Sequence, residues 1–173
     1  MDPITRLVHV AALAVYGGST VALVTMLLPT AAASASPAEE RRLLARGLTA
    51  YNVVSVGALG VLIMSGATAL TGLKATFGAE YALLLWPLVR KLLLTFALTM
   101  VGTYLSFGLA HRLVRGERLA DPVDPARQAS MLRRLRGGAW LALALTVATT
   151  WAGLGLSEGT RRTAARANAT ATP

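Results

Sequence analysis

The sequence contains no cysteine, which excludes disulfides, zinc–thiolate sites, iron–sulfur clusters and thiol nucleophiles at once. Acidic residues are scarce: 8 Asp plus Glu stand against 17 Lys plus Arg, and no carboxylate falls inside a long apolar run. A proton-coupled transporter would need such carboxylates, and no internal repeat of the transporter kind is visible. No nucleophile is paired with a base, so no catalytic residue is assigned. Histidine is also rare, with only His9 and His111.

The chain is rich in apolar residues instead. Over 173 residues it is 54% hydrophobic and 14% charged, with a mean hydropathy of +0.56, which does not suit a soluble domain of that size. The net charge of +9 would suggest nucleic acid in a soluble chain. Here the basic residues lie between long apolar runs, where they read as topology signals, and nucleic acid is not an expected partner.

Four stretches, about 4–28, 48–73, 87–110 and 138–156, can each cross roughly 30 Å of hydrocarbon at about 20 residues per crossing. A spanning segment must satisfy its own backbone, and none of them alternates like a barrel strand, so helices are expected. The fold class is therefore all-α: an integral-membrane four-helix up-down bundle over 1–156, in contact with lipid. After Leu28, the run Pro29 to Ala35 resembles a signal-peptide cleavage region. The preceding apolar run is longer than an h-region, and its flank carries Asp2 and only one basic side chain, Arg6, so retention of the first span is expected.

With four spans, Arg41, Arg42, Arg46, Arg112, Arg115, Arg118, Arg127, Arg133, Arg134 and Arg136 share one side, ten basic residues against seven on the other. The positive-inside rule then places both termini outside, in a bacterial cytoplasmic (inner) membrane. Ser36-Pro37-Ala38-Glu39 has the spacing of a capping box with proline at the first helical position. Asp121-Pro122-Val123-Asp124-Pro125 reads as a turn followed by an Asp124 cap, with 126–136 a short basic helix facing headgroups. The 157–173 tail, rich in Ala, Thr and Arg, is expected to be disordered.

Ionisable groups inside spans are costly and mark candidate sites. They are His9, Arg90 and Lys91. His9 lies about five residues, roughly 8 Å of rise, into the first span, and Lys91 about four residues past Pro87, so the two fall at nearly the same depth. Lys91, Thr95, Thr99, Gly102 and Ser106 follow helical spacing on one stripe, which should face protein, while Arg90 can snorkel. Tyr16 and Thr20 continue the His9 face of the first helix. A polar pocket in the outer half follows as an expectation, with His9, Lys91, Tyr16 and Thr95 as its candidate residues. The bland alternative is that the hydroxyls only bond to backbone and tighten packing. Gly57 and Gly60 with Gly66, and Gly102 with Ser106, read as close helix contacts. His111 lies about 36 Å along the helix from Pro87, so it cannot share one haem with His9. Met26, Met64 and Met100 lie on three different spans without local pairing, which gives copper little support.

Leu7-Val8-His9, Tyr16-Gly17-Gly18, Leu27-Leu28-Pro29, Arg41-Arg42-Leu43 and Trp86 with Lys91 resemble the bacterial copper-resistance D-type membrane domain. That superfamily includes the J-type membrane protoporphyrinogen oxidase. The resemblance covers roughly 5–155 and implies haem b held through His9, with Lys91 as the important lysine heading the third helix. Gly17-Gly18-Ser19-Thr20-Val21-Ala22 and Thr30 after Pro29 depart from the oxidase's pattern, so the likeness is to the membrane domain more than to the enzyme. Two readings stand: a membrane protein holding haem b or a metal at His9, and a non-catalytic accessory subunit of a larger complex or self-assembly.

Overall fold

Four runs long and apolar enough to cross a membrane become four helices, and the chain is an integral membrane protein built as an all-α bundle. The computed structural model describes residues 3–77, 82, 84–119 and 124–170. Helix α1 spans Pro3–Ala32, α2 spans Pro37–Phe77, α3 spans Leu85–Arg118 and α4 spans Pro125–Thr170. The caps form as their residues predict. Ser36 Oγ accepts the Glu39 N–H at 3.2 Å, while the Glu39 carboxylate reaches past the cap to accept the Ala35 N–H, also at 3.2 Å. Asp124 likewise accepts the Arg127 N–H at 3.2 Å. The turn expected at 121–123 lies outside the described residues.

Two helices widen locally. In α1, Leu23–Leu27 is π-helical, just before Pro29, which has no N–H to give the Thr25 carbonyl and whose ring would crowd it. The wider turn lets the helix run on through the proline. In α3, Tyr104–Ala110 is π-helical.

The helices pack as two hairpins, α1 with α2 and α3 with α4. The hairpins meet chiefly through the arginine-rich half of α3, packed on α2, with α4 closing against α1. At that end Leu44, Leu48, Leu113, Val114, Met131 and Leu135 are buried together. The helices project there as a short extension whose exposed faces carry Arg42, Arg46, Arg112, Arg115, Arg133 and Arg134. Arg41 and Glu117 pair across it at 3.5 Å. Toward the His9 end the buried positions thin out to Ala12, Leu62, Ser65, Leu84, Leu88 and Ala152. Only 22–28% of the most apolar stretch of each helix is buried in the bundle. The rest faces outward, as membrane helices do toward lipid, and Trp86, Trp140 and Trp151 are among the exposed side chains.

Glycines make some of the tightest helix contacts, but not all those the spacing suggested. A Cβ at Gly138 would lie 2.6 Å from Leu105, and one at Gly102 would lie 3.0 Å from Tyr16 Oη. A Cβ at Gly47 would collide with Leu27. Gly57 and Gly60 instead face open space on the outward side of α2, so within this bundle they do not make the close helix contacts their spacing suggested. In lipid both faces of a helix are apolar, so glycine spacing alone does not say which face meets a neighbour. The helical backbone of α4 continues to Thr170, through most of the stretch whose composition predicts disorder. Extending a formed helix through alanine and arginine needs no new nucleus.

Candidate functional site

The site begins with a histidine one helical turn or so inside the membrane, a position that needs a polar partner. Its partner is Ser65 on α2: His9 Nδ1 and Ser65 Oγ are 2.8 Å apart. Ser65 is buried and also donates to the Val61 carbonyl at 2.6 Å, with Leu62 O at 3.2 Å. Gly66 lies against the imidazole, where a Cβ would sit at ordinary contact distance, 3.8 Å from His9 Cε1. No side chain among the described residues takes His9 Nε2 as a hydrogen-bond partner.

Lys91 reaches the same level from the other hairpin. It is half-buried. Its Nζ rests against α4, 3.6 Å from where a Cβ of Gly153 would be, so the glycine leaves the room that the ammonium occupies. Among the described residues the salt bridge joins Arg41 to Glu117, and Lys91 has no ion-pair partner. Arg90, its neighbour, is exposed, as its place about 100° around the helix implies.

The Lys91 stripe does face protein. Thr95 and Thr99 are half-buried, and Gly102 and Ser106 are buried. The hydroxyls on it bond locally: Thr95 Oγ1 donates to the Lys91 carbonyl and Thr99 Oγ1 to the Thr95 carbonyl, each at 2.9 Å. Thr20, Thr68, Thr71, Thr146, Thr149 and Thr150 also bond to backbone carbonyls three or four residues back. For these hydroxyls the packing reading holds. Thr95 stands one turn from Lys91, at the edge of the His9 site.

Tyr16 belongs elsewhere. It lies seven residues, about 10 Å, further along α1 and is 1% exposed, with its Oη packed against Gly102. It shares the bundle centre with Tyr51, Asn52 and Ser55 of α2, and the Thr20 and Ser55 hydroxyls lie beside the Tyr51 phenol. Asn52 Nδ2 donates to the Ser106 carbonyl in the π-helical turn of α3, at 3.4 Å. Among the described residues, Tyr16 Oη and Asn52 Oδ1 are buried without a hydrogen-bond partner. Sequence reasoning missed the α2 half of this cluster. The available signal was Asn52, an amide set in an apolar run.

A bare metal ion finds little here, because among the described residues no three His, Cys, Asp or Glu side chains cluster. A porphyrin supplies four ligands to its own iron, so a site with one accessible imidazole nitrogen can suffice. Haem b is also an apolar plane with two carboxylates, and the unpaired Lys91 opposite His9 matches that anionic edge. Comparison with protein-family models, with curated proteins and with solved structures gives no match.

Proposed function

We propose that this membrane bundle holds haem b near its outer surface and serves in redox or metal handling, as a copper-resistance D-like protein of the bacterial cytoplasmic membrane with both termini outside. The observation that carries the reading is the His9 environment: Nδ1 is engaged by Ser65, while among the described residues Nε2 has no hydrogen-bond partner and Lys91 no ion-pair partner. In this role His9 Nε2 would ligate the iron and Lys91 would neutralise a propionate, with Thr95 bordering the site. Tyr16 supports it from below by fixing α1 against α3. Bound haem would supply one-electron chemistry. The loose packing between hairpins at the His9 end supports a flat ligand there and not at the tightly packed arginine-rich end.

The test is reconstitution of detergent-purified protein with haemin, followed by absorbance. Wild type should give a Soret band. Lys91→Gln should retain haem roughly tenfold less tightly, about 1.4 kcal/mol, and Lys91→Arg should recover part of the loss. Equal retention in all three proteins would remove Lys91 from the site.

One observation favours the second reading, an accessory subunit of a larger membrane complex. Gly57 and Gly60 present a small-residue face outward on α2, where another helix could approach closely. Crosslinking in the native membrane through this face, with no haem bound, would select it.

A further inference from the structure

We infer that Ser65 is a positioning residue that holds His9 in the tautomer protonated at Nδ1, so that Nε2 presents its electron pair to whatever the site binds. This rests on the haem reading for the identity of the ligand, but not for the tautomer itself.

The hydrogens at this contact can be counted. The Ser65 hydroxyl has one, and its Oγ lies 2.6 Å from the Val61 carbonyl, which has none to give. That contact requires Ser65 to donate along the helix. The 2.8 Å contact to His9 Nδ1 then needs its hydrogen from the ring, and Nδ1–H donates to Ser65 Oγ. A neutral imidazole protonated at Nδ1 carries its lone pair on Nε2. The opposite tautomer would be worse on both sides. It would leave Nδ1 and Ser65 Oγ facing each other without a hydrogen, and its Nε2–H would find no acceptor among the described residues. The nearby charge belongs to Lys91, a group that only donates. Fixing a ligating ring through its second nitrogen is a general way to orient it and raise its basicity.

Ser65 is singled out among the hydroxyls of α2 by this contact alone. Thr68 and Thr71 are exposed and bond only to their own helix. Gly66 gives the ring a flat wall beside the hydroxyl.

The experiment is nitrogen-detected NMR of ring-labelled histidine in the haem-free protein, at a pH where the ring is neutral. A His111→Gln background leaves His9 as the single histidine. Wild-type Ser65 should show a protonated Nδ1 and an unprotonated Nε2. Ser65→Ala should shift the population toward the Nε2–H form, and Ser65→Thr should retain the wild-type form. A protein with Ser65 that already shows Nε2–H overturns the inference, as does an unchanged tautomer in folded Ser65→Ala. If Ser65→Ala does not fold, the wild-type spectrum and that of Ser65→Thr still decide. Absence of a Soret band with the Nδ1–H tautomer in place would remove haem and leave the role of Ser65 standing. A His9-dependent Soret band with the Nε2–H tautomer would do the reverse.

Discussion

At the scale of single residues, the two ionisable groups were legible and their partners were not. A histidine and a lysine inside apolar spans stand out because burial there is expensive, and helical rise alone puts them at one depth. Which hydroxyl meets His9 depends on how α2 is rotated about its axis, and Ser65, Thr68 and Thr71 were equivalent candidates until that rotation was known. Tyr16 was legible as an inward-facing polar group, yet its contacts are with Gly102 and the Tyr51 cluster. The phenol of Tyr16 is buried without a partner among the described residues, and an unmade hydrogen bond of that kind costs about 1–3 kcal/mol. Tyr16→Phe should therefore leave thermal stability in detergent unchanged or raise it. A loss of more than about 1 kcal/mol would mean that the hydroxyl holds a bond the packing does not show.

At the scale of helices, apolar length, the Ser36 and Asp124 caps and the protein-facing stripe of α3 could all be read directly, because each rests on chemistry within a few residues. The glycines could not, since the lipid-facing and protein-facing sides of a membrane helix are equally apolar. Their substitution separates the two classes. Leu105, packed against Gly138, is fully buried, and a Cβ there would have to displace it, so Gly138→Ala should destabilise the bundle by about 1–3 kcal/mol. Gly57→Ala meets nothing and removes a weak helix former, so it should be neutral or stabilising by up to about 1 kcal/mol. Chemical or thermal unfolding of the two variants in one detergent makes the comparison. The reverse order of stability would mean that α2 is rotated from the orientation described.

At the scale of the molecule, the excess of positive charge sorts onto one end of a bundle that is tight there and looser at the other, with His9 and Lys91 at the looser end. The proposed orientation rests on the positive-inside rule and can be checked cleanly, because a chain without cysteine accepts single reporters. A cysteine at Arg118 should resist an impermeant maleimide in intact cells, while one at Ile4 should react. Labelling of both, or of the first alone, would contradict the proposed orientation. What the looser end holds is decided by absorbance of haem-reconstituted wild type, His9→Ala and His111→Ala, prepared in parallel. Haem held at His9 gives a Soret band in wild type and His111→Ala and none in folded His9→Ala. A wild type without the band, or a band that survives loss of His9, would contradict it.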